Sequence, residues 1–110
     1  MFAVIFEAVP VDETKDEYLE IAGKLRDCLQ DQQGFISIER FQSLSEDGKI
    51  LSISYWQDEA AITRWRNLQE HREAQKKGKE RLYHSYRIRV AEVVRDYTEQ
   101  ARDEVPADSR

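Results

Sequence analysis

Three side chains within "YWQDEAAITRWRNLQEHREAQ", residues 55–75, have the types and spacing to work on an organic substrate: Trp65, His71 and Gln75. On a helix, Ala61, Trp65, Leu68, Gln75, Gly78 and Leu82 share one face, and His71 lies on its flank. An indole supplies a flat apolar wall, a neutral imidazole supplies a base near neutral pH, and an amide orients a carbonyl or hydroxyl. Tyr86, with Tyr83 and Tyr55, offers further rings or hydroxyl donors from the strands, whereas His84 is ordinary by itself.

Each residue has a structural explanation as well. A tryptophan on the inner face of an amphipathic helix is commonly core. A glutamine at a central buried position needs hydrogen-bond partners, which Ser52 or Ser54 would supply as readily as a substrate. Glu39, Arg40, Arg87 and Arg89 suit a solvated edge or cross-strand pairs. An arginine pointing inward would instead stabilise an anionic substrate or an oxygenated intermediate, and the sequence leaves the facing of all of them open.

The elements that must position these residues follow from periodicity. "MFAVIFEAV" is short, β-branched and aromatic, ends at Pro10 and is apolar on both faces, which predicts an interior strand. Asp12 is placed to cap a helix on which Tyr18, Ile21, Ala22, Leu25, Cys28 and Leu29 recur, and Gly34 supplies its stop. "FISIERFQS" and "ILSISYW" alternate around Asp47-Gly48, as in an antiparallel hairpin. Asp58 caps a second helix that extends to about Leu82 with a break near Asn67, and "YHSYRIRVAEVVRDY" forms a long last strand. The order is βαββαβ, a ferredoxin-like α+β fold with an antiparallel sheet and both helices on one face. The bare face would expose apolar residues from the first and last strands, so a homodimer is expected. Residues 1–97 form the domain, and 98–110 form a polar tail expected to fray.

Composition bounds the remaining choices. The 110 residues fit one domain, and the 40% hydrophobic and 35% charged content demands economical use of apolar faces. A net charge of -5 argues against a nucleic-acid partner. The single Cys28 forms no internal disulfide, and neither metal-ligand spacing, a GxGxxG nor a P-loop occurs. The apolar start is too short for a membrane span and lacks signal-peptide features, so no membrane association and a cytoplasmic location are expected.

The ordered set of Gly34-Phe35, Trp56, Asp58 with its Ala-rich first turn, Trp65, "EH", "AQ" and the aromatic-basic last strand resembles the antibiotic biosynthesis monooxygenase (ABM) superfamily of dimeric α+β barrels, over about residues 1–97. The resemblance implies a cavity between the helices and the sheet of each subunit. Members include cofactor-independent monooxygenases of polycyclic quinol-like substrates, haem-degrading monooxygenases, and small proteins with no established reaction. In the haem-degrading members the residue matching Trp65 lines the pocket. Their axial histidine falls where this chain has Gln75, and Glu7 lies near the place of their first-strand asparagine. An amide is a poor substitute for imidazole on haem iron. The expected activity is therefore a cofactor-independent monooxygenase acting on a small planar aromatic or quinol-type compound. His71 would be its base, and Trp65, Gln75 and Tyr86 its substrate-binding residues. The alternatives are a haem-binding or haem-degrading monooxygenase and a non-enzymatic small-molecule-binding or stress-related module.

Overall fold

In the computed structural model, which describes residues 1–10, 15–75 and 83–109, β1 (Phe2–Pro10) and α1 (Lys15–Leu29) come first. They are followed by β2 (Phe35–Gln42), β3 (Ile50–Trp56), α2 (Glu59–Gln75) and β4 (Tyr83–Glu92). The sheet order is β2-β3-β1-β4, and every neighbouring pair is antiparallel. The doubly apolar β1 therefore has partners on both edges, as its composition predicts.

Register assigns the faces. Phe2 opposes Trp56, Val4 opposes Ser54 and Phe6 opposes Ser52, so these residues share one side of the sheet. That side carries the helices: Leu29 of α1 and Ala61, Ile62 and Trp65 of α2 form one buried cluster with Trp56, against which Phe2, Val4, Leu25, Phe35, Ile38 and Leu68 pack. Trp56 is fully buried at the end of β3, with the ring of Phe35 edge-on to it at 5.3 Å between centroids.

Local chemistry fixes the joints. The backbone N–H of Ala61 donates to Asp58 Oδ1 at 2.8 Å, so Asp58 caps α2 as expected, with Glu59 at its positive end. Gly34 adopts φ 86°, and the N–H of Gln57 donates to its carbonyl at 2.8 Å, which ties the start of β2 to the entry of α2. Gly48 at φ 79° turns the β2–β3 hairpin, where the Ser43 N–H donates to Lys49 O at 2.9 Å and Ser43 Oγ accepts from the Glu46 N–H at 3.0 Å. The break predicted near Asn67 does not occur. α2 runs unbroken through it, because Asn67 faces solvent while Leu68 packs on the core and holds the turn. The Asp12 cap, Gly78 and Leu82 lie outside the described residues.

Three further expectations are corrected. β4 ends at Glu92 rather than near Tyr97, because its partner β1 begins at Phe2: Phe2 opposes Glu92, and one last bond runs from the Val93 N–H to Met1 O at 2.9 Å. Beyond it the chain does not fray. The Asp96 N–H donates to the Glu104 carboxylate at 2.6 Å, the Ala101 N–H donates to Thr98 Oγ1 at 2.8 Å, and Arg102 lies over the Tyr97 ring. Val105 is only 4% exposed, a lone apolar anchor in a polar run, and a short 3-10 turn at Ala107–Ser109 follows. Finally, the large apolar residues Tyr86, Ile88 and Val90 of β4 do not lie on the bare side of the sheet, where β4 contributes Ala91. Tyr86 opposes Ala8, Ile88 opposes Phe6 and Val90 opposes Val4, which puts all three on the helix side. The large apolar residues of the bare side come mainly from β1, β2 and β3 instead, among them Ile5, Phe41, Leu51, Ile53 and Tyr55.

Candidate functional site

The helix side of the sheet divides into two regions. At one end the rows Phe35–Trp56–Phe2 and Ile38–Ser54–Val4 lie under the packed cluster. At the other end two rows run through different chemistry: Arg40–Ser52–Phe6–Ile88 and Gln42–Ile50–Ala8–Tyr86. Ser52 and Ala8 are buried there, yet Tyr86 is 61% exposed and Ile88 and Val90 are exposed beside it. The rings of Phe6 and Tyr86 stand 6.0 Å apart at 33°. An aromatic pair and an aliphatic strip are thus left open on the side that carries the helices, with a hydroxyl and a guanidinium in the adjoining strands.

Tyr86 is the predicted site residue that falls on this strip. Trp65 is 8% exposed and belongs to the cluster, beside Trp56 and Ile62. Ser54, one of two strand hydroxyls considered for Gln75, accepts the indole N–H of Trp56 at 2.9 Å. His71 and Gln75 both lie on α2, and their side chains are outside the described residues. At about 100° per residue, Gln75 falls within roughly 20° of Leu68, which packs on the core, and His71 falls roughly 60° to one side of it. His84 and Tyr83 also carry side chains outside the described residues.

The charged strand residues now have addresses. Glu39, Arg87 and Arg89 oppose Ile53, Glu7 and Ile5 on the side away from the helices, whereas Arg40 opposes Ser52 on the helix side. Glu7, with a side chain 28% exposed, is held by Arg89 at 3.4 Å and Lys49 at 3.8 Å. It therefore faces away from the helices and is not a wall of any cavity between them and the sheet. A shallow depression of about 140 Å³ is lined by Ser37, Ile38, Glu39, Phe41, Ile53 and Tyr55, all but Ile38 on the bare side by register. Sequence reasoning missed Phe6 and Ser52 as companions of Tyr86. The usable signal was parity, since both stand an even number of residues from Phe2 or Trp56.

Among the described residues no group of three or more His, Cys, Asp or Glu side chains is arranged to hold a metal ion, and no helix is long and apolar enough to cross a membrane.

A four-stranded antiparallel sheet with two helices on one side defines a ferredoxin-like α+β domain. Residues 1–77 match the antibiotic biosynthesis monooxygenase family, and the chain belongs to it. The jasmonate monooxygenase ABM of Pyricularia oryzae is 46% identical over 93 residues, 84% of this chain, and the chain spans 43% of that relative's length. Solved structures share the fold, two of them of oxygen-using or haem-degrading proteins. SnoaB, a cofactor-independent oxygenase from Streptomyces nogalater, superposes with a TM-score of 0.69 at 14% identity, over 89% of this chain and 97% of its own. The heme-degrader MhuD from Mycobacterium tuberculosis, with two hemes bound, gives 0.67 at 14% identity, over 89% and 100%.

Proposed function

We propose that the protein is a cofactor-independent monooxygenase that takes a small planar aromatic or quinol-type substrate between α2 and the β1–β4 half of the sheet. The observation that carries this reading is the open Phe6–Tyr86 ring pair on the helix side, flanked by Ile88 and Val90. Flat apolar walls with a few polar groups suit a polycyclic ligand. An activated quinol transfers an electron to oxygen directly, so the protein has to bind, deprotonate and shield it. In this reading His71 is the base, Gln75 orients a carbonyl or hydroxyl, Tyr86 is a wall, and Trp65 closes the inner end. Membership of a monooxygenase family and the identity to a named monooxygenase support the reaction class.

The test is oxygen consumption with 1,8-dihydroxyanthrone as substrate. The reading expects turnover above the uncatalysed rate, lost in His71→Ala and reduced in Tyr86→Ala. Turnover unchanged in both variants would overturn it. Haem is the second reading, supported by the fold shared with a heme degrader. A Soret shift on mixing with haemin that is lost in His71→Ala would favour it. Absence of both signals would favour a non-enzymatic binding or stress-related module.

The same reading holds that the chain acts as a homodimer in the cytoplasm. Ile5, Phe41, Leu51, Ile53 and Tyr55 on the helix-free side support face-to-face pairing of two sheets, and the single Cys28 fits a reducing compartment.

A further inference from the structure

Six arginines or glutamates lie on the described strands. Register sends Glu7, Glu39, Arg87 and Arg89 to the side without helices and puts Glu92 opposite Phe2 on the helix side, so two of the three arginines face away from the helices. Arg40 goes the other way. It follows Ile38 by two residues, and Ile38 packs on the buried cluster, so the two share the helix side. Its strand partner is Ser52, a buried hydroxyl, and Arg40 itself is half-buried while its neighbours Glu39 and Phe41 are exposed.

The row that Arg40 begins continues through Ser52 and Phe6 to Ile88 at the opposite edge. It reads cation, hydroxyl, ring, aliphatic. Three interstrand steps of about 4.8 Å make it roughly 14 Å across, the scale of a tricyclic molecule. A guanidinium presents a planar fork of donors that matches a carboxylate, and it stays charged at every working pH.

We infer that the substrate carries one anionic group, a carboxylate or phenolate, at one end of its planar apolar body, and that Arg40 is the residue that recognises it. The ring system then lies toward Phe6 and Tyr86, and the charge lies toward β2. This orientation presents the far edge of the ring system, not its charged end, to the β4 side of the pocket. The inference rests on the pocket reading above and adds a polarity to it. Arg89 is engaged with Glu7 on the other side of the sheet and does not compete for the same anion.

The experiment compares two ligands with identical rings: anthracene-2-carboxylate and its methyl ester, followed by their own fluorescence polarisation at neutral pH. The wild-type protein is expected to bind the acid about tenfold more tightly than the ester, as a hydrogen-bonded charge contact implies. Arg40→Met should bring the two affinities together while leaving the ester within about twofold of its wild-type value. Arg87→Met, on the other side of the sheet, should keep the wild-type preference. If Arg40→Met does not fold, Arg40→Gln is judged by the same ratio. Equal binding of acid and ester by the wild-type protein overturns the inference and leaves the pocket reading standing. So does a preference that survives removal of the Arg40 charge, or one that Arg87→Met abolishes. If the wild-type protein binds neither ligand, the aromatic pocket itself is refuted and the inference goes with it.

Discussion

Gly34 and Ala61 approach so closely that a Cβ on Gly34 would stand 2.7 Å from the Cβ of Ala61. The contact joins the first residue before β2 to the first turn of α2, and it coincides with a positive φ of 86° at Gly34. Gly48 has a similar φ of 79° but nothing within 4 Å of its built Cβ. Gly34→Ala is therefore expected to destabilise by about 2–4 kcal/mol, from left-handed strain plus overpacking, and Gly48→Ala by about 1–2 kcal/mol from the strain alone. Urea unfolding of the two variants checks the difference, and equal losses would mean that the Ala61 contact relaxes freely.

The Trp56 indole N–H is buried and donates to Ser54. Ser54→Ala removes the acceptor and leaves the donor unpaired, at a cost of about 1–3 kcal/mol. Adding Trp56→Phe to Ser54→Ala should cost less than Trp56→Phe does in the wild-type background, because the orphaned donor is removed with the ring. A strictly additive double-mutant cycle would deny the bond an energetic role.

Trp65 and Tyr86 separate packing from binding. Trp65→Phe opens part of the core cluster and should destabilise by about 1–3 kcal/mol. Tyr86 is 61% exposed, so Tyr86→Ala should change stability by less than about 1 kcal/mol. The same change should weaken binding of anthracene-2-carboxylate severalfold. A Tyr86→Ala variant that binds as tightly as wild type would remove the strip from the pocket.

The C-terminal segment has a cost of removal. Truncation after Tyr97 deletes Val105 and the Glu104 contact to the Asp96 backbone. Burial of one valine is worth roughly 1.5 kcal/mol or more, so the truncated chain should melt several degrees lower. Val105→Asp in the full chain should reproduce most of the drop. An unchanged melting temperature in both would show that the anchor carries no stability.

Association is tested on the bare side of the sheet. Ile53→Asp puts a charge in the centre of the face that is expected to meet a second copy. Sedimentation at micromolar concentration should show a wild-type dimer and an Ile53→Asp monomer. A monomeric wild-type protein would refute face-to-face pairing.

Elements whose residues follow a period could be read from the chain, and isolated residues could not. The alternation of Phe35–Gln42 and Ile50–Trp56 about Asp47-Gly48 predicts the hairpin, and the doubly apolar Phe2–Pro10 predicts an interior strand. Alternation in β4 is equally plain, but parity states that Tyr86, Ile88 and Val90 share a side without stating which side. That answer needs the pairing of Phe2 with Glu92, a relationship between residues ninety positions apart in the chain. The facing of Arg40 was hidden for the same reason. Val105 is one apolar residue among charges and has no period to announce it. The end of β4 depends on where β1 starts, a limit imposed by a neighbour and not by the composition of β4 itself.

Strand β4 writes two messages in alternate letters. Its even positions, Tyr86, Ile88 and Val90, lie on the helix side of the sheet, and its odd positions, Arg87 and Arg89, lie on the opposite surface. Point substitutions can therefore change the helix-side strip without touching the outer charge pattern, or the reverse, and the two surfaces are free to drift separately in evolution. A frameshift of one residue in the pairing is different in kind: it would carry the arginines inward and the apolar strip outward together. Lineages of this fold can vary the letters of the last strand, but a one-residue insertion or deletion within it inverts the letters beyond that point unless a bulge, as where the register shifts between Val9 and Pro10, absorbs the step.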